Sequence, residues 1–171
     1  MSSSDPRPWW KRFLFPKLTA GYLIRLGVLA VLAVVFFSFI CQPFVINGAS
    51  MMPTYPEHGF MLSWNVGYMM HSPEIGDVVI VRVNDSTSYL KRVVALAGDR
   101  VCWRNGRLMV NGEALDEPYV VYSCDWDSSD EDDIVIEPDH AYVVGDNRSM
   151  PRRNHVHGQV ALKRIKGVPL W

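Results

Sequence analysis

The sequence predicts a mainly β protein, with one N-terminal transmembrane helix followed by an extracytoplasmic all-β domain. Three observations predict it. Residues Gly21 to Ile40 form an apolar run broken only by Arg25 and Ser38. After Pro43 the pattern changes to short β-branched runs separated by turn residues every 8–15 positions. Within that region, Asn105-Gly106 separates two strand-like runs, the strongest short-range hairpin signal. At 171 residues the chain is long enough for one domain of ordinary size plus an appendage.

Residues 1–20 are basic and polar, with Pro6, Pro8 and Pro16 as breakers, and are expected to form a cytoplasmic segment. Trp9, Trp10 and Phe13 suit a bilayer interface. The anchor is assigned to residues 21–41. Twenty helical residues rise about 30 Å, the thickness of the hydrocarbon layer. Thirteen of residues 21–40 are Leu, Ile, Val or Phe. At about −0.3 to −0.6 kcal/mol each they favour insertion by roughly 4 to 8 kcal/mol. Arg25, one turn from the end, snorkels and costs less than the ~3 kcal/mol of a central arginine, so insertion wins. A signal peptide would have a shorter apolar run and a small-residue cleavage site close behind it, and a core helix would have a polar face. Arg7, Lys11, Arg12, Lys17 and Arg25 precede the next cation, Arg82, by a long interval, which places the N-terminus in the cytoplasm and residues 42–171 outside.

The strands follow in order. Phe44-Val45-Ile46 leads into Ser50. Gly76 to Val83 is nearly continuous and β-branched, as a strand buried on both faces would be. Ser88 to Leu96 returns from the Asn84-Asp85-Ser86 turn. The Asn105-Gly106 hairpin comes next, then Ile134–Ile136, Ala141–Val144 and a last strand from Gly158 to Ile165. Phe60–Trp64 and Tyr68–Met70, rich in large apolar residues, are expected in the core, with a bilayer-facing surface as the alternative. Six acidic residues in Asp125–Asp133 fit a solvated loop, and their spacing matches no calcium template. The three cysteines have no zinc-site spacing, and Cys102 and Cys124 could pair outside the cell. A net charge of −1 supplies no basic field for nucleic acid.

For chemistry, the sequence offers a hydroxyl. Asn47-Gly48-Ala49-Ser50-Met51-Met52-Pro53-Thr54 places Ser50 between a flexible pair and a stiff proline. An alcohol needs a base to become a nucleophile. The histidines (58, 71, 140, 155 and 157) sit in turn-like surroundings and show no Asp-His-Ser order. Lys91 is the better candidate. Strand alternation puts it on one fairly apolar face with Tyr89, Val93 and Ala95. There, burial lowers the pKa of its ammonium. An exposed strand lysine, with Arg92 inward instead, is the other possibility that the pattern leaves open.

Four segments, Gly48–Thr54, Gly76–Val79, Tyr89–Asp99 and Gly145–Arg148, resemble in type and order the four boxes of bacterial type I signal peptidases. The resemblance spans about residues 20–167, and all four boxes in order are a specific signal. It implies a membrane-bound serine endopeptidase with a Ser-Lys dyad and no metal or other cofactor, in which Ser50 is the nucleophile and Lys91 the general base. Its partners would be exported preproteins, cut after small residues at −3 and −1, and the lipid bilayer. By the family's pattern Phe44, Ile46, Met51, Tyr55, Tyr89 and Leu90 line the side-chain pockets, and residues 100–140 form a variable insertion. The backbone N–H of Ser50 would be one oxyanion donor, and Gly48 offers no side-chain hydroxyl as a second.

The last box departs from the family. Pro151 stands where a serine usually orients the lysine, Arg153 replaces the usual aspartate and His155 the final arginine. The usual Asp–Arg pair is lost. Asp146 is left to pair with Arg148 or another cation, with Ser149 as a displaced substitute hydroxyl. The alternative implied by these changes is a weak or specialised homologue that binds or processes one dedicated secreted substrate or pilin.

Overall fold

The computed structural model describes residues 8, 19–66, 68, 71–84, 87–122, 125–127, 133–151 and 157–170. Trp9, Trp10 and Phe13 of the expected interface, Met69 and Met70, Cys124 of the expected disulfide, and Arg153 and His155 of the altered box lie outside them. The chain divides into two units, residues 1–39 and 40–171.

In the first unit, helix α1 spans Ala20–Val35 and passes into a π-helical turn, Phe36–Ile40. Thr19 caps it, its Oγ1 accepting the Tyr22 N–H at 3.3 Å. No residue of α1 or of the turn is buried. The 21 residues Ala20–Ile40 have a mean hydropathy of 2.6, long and apolar enough to cross a membrane.

Among the described residues the second unit has eleven strands: β1 Cys41–Val45, β2 Phe60–Trp64, β3 Val78–Arg82, β4 Ser88–Leu96, β5 Arg100–Arg104, β6 Arg107–Val110, β7 Glu113–Ala114, β8 Ile134–Val135, β9 His140–Val144, β10 Gly158–Ala161 and β11 Ile165–Leu170. Seven form one sheet in the order β1-β2-β11-β3-β4-β9-β10, and four form a second, β7-β6-β5-β8. All pairings are antiparallel.

Several strands lie as the sequence predicts, β4 to the residue. The β5–β6 turn has Asn105 at φ 50° and Gly106 at φ 74°, the double positive-φ signature of the two-residue hairpin that Asn-Gly favours. Three expectations are corrected. The stretch Phe60–Trp64 is a strand, with Met61 and Ser63 buried and Phe60 exposed. The expected last strand breaks at a 3-10 turn, Leu162–Arg164, into β10 and β11. Ala95 leaves the Lys91 face, because β4 bulges: Val93 pairs with Val143 but Ala95 with Tyr142, so Val94 is the extra residue and the alternation resets.

Three apolar clusters hold the domain. Val94, Ala95, Trp103, Leu108, Trp126 and Tyr142 pack between the two sheets. Ile46, Met51, Tyr55, Met61, Ile80 and Leu90 form a second cluster beneath the β1–β2 loop. Val79, Val81, Val93, Val143 and Ile165 form the third, on the other face of β3 and β4. Beyond β11's Gly167 there is no room: a Cβ there would stand 2.2 Å from the Trp64 carbonyl oxygen, so only glycine lets β11 lie this close to β2.

Candidate active site

Ser50 sits in the loop between β1 and β2. The loop's two ends are tied together by Ile46 N–H to Gly59 O and His58 N–H to Ile46 O, both 2.9 Å. Within it, the Met52 N–H meets Ala49 O at 3.1 Å and the Tyr55 N–H meets Met51 O at 2.9 Å, so residues 49–55 make successive tight turns. Met51 and Tyr55 point into the second cluster and anchor the turns from below. Ser50 itself stays partly exposed.

The loop is fastened from the other side by the residues after β9. The Asn147 N–H donates to Ser50 O and Asn147 Nδ2 to Ala49 O, each at 3.0 Å. One residue earlier, Asp146 accepts the Thr54 hydroxyl at 2.6 Å. Because β9 pairs with β4, these contacts bring the Ser50 loop to the strand that carries Lys91.

Lys91 is 2% exposed. Its strand neighbours on that face are Tyr89 and Val93, and it lies across from Val79. Burial brings its pKa from 10.5 down to about 8, against the opposing pull of the Asp146 carboxylate. It lines a cavity of about 200 Å³ with Val81, Tyr89, Val143 and His157. Of the two possibilities that the sequence left open, Lys91 is thus the buried one. Neither Ser50 Oγ nor Lys91 Nζ makes a hydrogen bond to another described residue.

Asp146 is wholly buried and pairs with Arg92, not with Arg148. Arg92 Nε and Nη2 reach its two oxygens at 2.9 and 2.7 Å, and Nη1 donates to Gly76 O at 2.7 Å. The fork fits the carboxylate bidentately, the strongest arrangement for such a pair. Arg148, 2% exposed, donates from Nε to Gly145 O at 2.8 Å and from both Nη atoms to Glu117. Ser149 is exposed, its N–H and hydroxyl both going to Asn147 Oδ1.

Of the residues expected to line pockets, Ile46, Met51, Tyr55 and Leu90 meet in one cluster with Phe44 packed beside them. Tyr89 lies on the opposite face of β4, in the Lys91 cavity. Sequence reasoning missed Thr54, Arg92, Glu117, Tyr119 and Asn147 as site residues. Thr54 and Asn147 carried a signal, since both lie inside the motifs. Glu117 and Tyr119 carried none, because they lie between the third and fourth motifs, in a stretch that no motif covers.

A family model described as signal peptidase, peptidase S26 matches residues 19–169. Signal peptidase IB of Staphylococcus aureus strain COL is 30% identical over 161 residues, covering 85% of this chain and 84% of its own. Signal peptidase I S of Bacillus subtilis strain 168 is 34% identical over 151 residues, covering 82% and 80%. A crystal structure of a signal peptidase I from Enterococcus faecalis aligns with 56% of this chain and 95% of its own, at a TM-score of 0.43 and 23% identity. The matched span takes in the Ser50 loop, the Lys91 strand and the turn after β9, and the chain accordingly belongs to the signal peptidases of family S26, as a peptidase whose family removes signal peptides.

Proposed function

We propose that this chain is a membrane-anchored endopeptidase that cuts exported preproteins after small residues at −3 and −1, with Ser50 as nucleophile and Lys91 as base. The observation that carries the reading is the buried Lys91 amine, titrating near 8. At pH 7 about a tenth of such amines are neutral, against fewer than about one in a thousand for an ordinary lysine. A neutral amine takes the Ser50 proton as Oγ adds to the scissile carbonyl carbon, and the resulting ammonium returns that proton to the leaving amine. The acyl-enzyme ester is then cleaved by water, deprotonated by the same amine. In this reading the Ser50 N–H is one donor to the oxyanion. In ligand-free sites such hydrogen bonds are often unformed and tighten when substrate binds.

The cluster of Ile46, Met51, Tyr55 and Leu90 beside Phe44 supports a preference for small side chains, since filled apolar walls reject large ones. The Ala20–Ile40 helix supports the anchor, and the basic residues before and within its first turn support a cytoplasmic N-terminus. Apolar exposure at Val45, Phe60 and Leu170 supports contact with a lipid surface.

The test is cleavage of a preprotein with alanine at −3 and −1, in detergent, by the wild type, Ser50→Ala and Lys91→Ala. The reading stands if the wild type cuts at that site and both folded variants do not. A folded wild type that cuts none of a panel of such preproteins overturns it and favours the dedicated-substrate alternative.

A further inference from the structure

The segment after β7, residues 115–122, starts against the second sheet, where the Leu115 N–H meets Leu108 O, yet its Glu117 reaches Arg148 of the turn that fastens Ser50 and its Tyr119 reaches Arg92 of β4. Glu117 takes both Nη atoms of Arg148, one at 3.1 Å. Arg148 also holds Gly145 O and lies 5.1 Å over the Trp103 ring. The Tyr119 hydroxyl donates to Glu117 Oε1 at 3.0 Å, and its ring lies 3.9 Å beneath the Arg92 guanidinium. Arg92 in turn clamps Asp146, which holds Thr54. The contacts form one unbroken line: Arg148, Glu117, Tyr119, Arg92, Asp146, Thr54. Every charge along it is matched, and the two arginines flank the residues, 146 and 147, that hold the Ser50 loop.

Arg148 is nearly fully buried, and its other acceptor is a neutral carbonyl, so Glu117 is the carboxylate that balances it. Without that charge, Arg148 is driven toward water and draws the 145–148 turn with it. Without the Tyr119 ring, Arg92 is freer to leave Asp146.

We propose that Glu117 and Tyr119 of the insertion are positioning residues, which hold the 145–148 turn and through it the Ser50 loop against the Lys91 strand. The proposal rests on the Ser50–Lys91 reading for its kinetic consequence, but not for its geometric one.

The experiment compares the full-length wild type with Glu117→Gln, Tyr119→Leu, Tyr119→Phe and a control, Glu113→Ala, which changes an exposed residue of the same insertion. Preprotein cleavage gives kcat and KM separately. The second readout is the pH dependence of Lys91 acetylation by acetic anhydride, followed by peptide mass spectrometry, which requires no catalysis. Glu117→Gln and Tyr119→Leu should lower kcat about 10- to 100-fold with KM nearly unchanged, as misplacement of a reacting group does. Tyr119→Phe, which keeps the ring, should lose less, and Glu113→Ala nothing. In Tyr119→Leu the acetylation midpoint should move up from near pH 8, because an Asp146 less well neutralised by Arg92 favours the ammonium. Arg82, Tyr89, His157 and Arg164 also line the Lys91 cavity but are common to all the proteins compared.

Wild-type kcat and an unmoved midpoint in folded Glu117→Gln and Tyr119→Leu would overturn the proposal. So would a lower melting temperature alone, with kcat and midpoint unchanged, since that marks a merely structural role. A wild type that cuts none of the preproteins sinks the general preprotein-cleavage reading instead, and the midpoint in Tyr119→Leu then decides the positioning role by itself.

Discussion

Replacing Lys91 by methionine should make the protein more stable, by an amount that depends on pH in a defined way. Methionine is unbranched like lysine and shorter by one heavy atom, the nitrogen itself, so packing is nearly conserved. What changes is the buried amine. Lowering a lysine from 10.5 to about 8 corresponds to about 3 kcal/mol, at about 1.4 kcal/mol per tenfold change. The sign follows from proton counting. Below pH 8 both the folded and the unfolded chain hold the proton, and folding bears the whole cost of burying an ammonium. Between pH 8 and 10.5 the unfolded chain keeps a proton that the folded one has released, so the wild type gains stability as pH rises. Above 10.5 both are neutral and the cost is gone. Lys91→Met should therefore exceed the wild type by about 3 kcal/mol at pH 7, and by less than half of that near pH 9.5. Guanidinium unfolding of the two full-length proteins in the same detergent, followed by tryptophan fluorescence at pH 7, 8, 9 and 9.5, measures the difference directly. A gap that stays constant over this range, or a variant less stable than the wild type at pH 7, would refute the depressed-lysine argument.

Other consequences can be measured independently. The acid limb of kcat/KM for preprotein cleavage should have its midpoint near pH 8, where Lys91 loses its proton, and a midpoint near 6 would point to a different base. Asn147→Ala removes the donor to Ala49 O while sparing the backbone bond to Ser50 O; kcat should fall on the order of tenfold and stability by about 1 kcal/mol, read from kinetics and denaturation of one sample. Arg92→Lys cannot reproduce the bidentate contact with the wholly buried Asp146 and should cost about 3 kcal/mol in an unfolding titration. Gly167→Ala drives a methyl into the Trp64 carbonyl and should destabilise by about 3 kcal/mol or more, seen as a large drop in melting temperature.

What the sequence made legible was local. The span of β4 follows from β-branched residues between turn signals, and the β5–β6 turn from one dipeptide whose backbone preference dominates. Strand β2 was hidden because its hydropathy runs against its burial. Ser63 faces inward, with its hydroxyl on Asn65, while Phe60 faces out at 70% exposure. Strand β11 was hidden because Gly167 and Pro169 are strand breakers by composition. Gly167 is required there only by the closeness of a backbone that is remote in sequence. The same holds for the site. Ser50 and Lys91 stood out by residue type and motif, whereas the partners that hold them are separated widely along the chain, Arg92 from Asp146 by 54 positions and Arg148 from Glu117 by 31. The choice of Arg92 over Arg148 as the partner of Asp146 depends on where the turn after β9 folds back, which sets Asp146 against Arg92 of β4 and Arg148 against Glu117.

The strand order β1-β2-β11-β3-β4 also sets a clock. The Ser50 loop belongs to the β1–β2 hairpin and Lys91 to the β3–β4 hairpin, and in the sheet these hairpins meet across β11, which follows both in chain order. A nascent chain that has emerged as far as residue 160 already contains both hairpins but not the strand that joins them in the sheet. Its two halves close like a zip fastener whose slider is threaded last. Before β11 is inserted, the turn after β9 and the side chains of the second cluster already tie the Ser50 loop to the Lys91 strand, while the sheet itself stands open between β2 and β3.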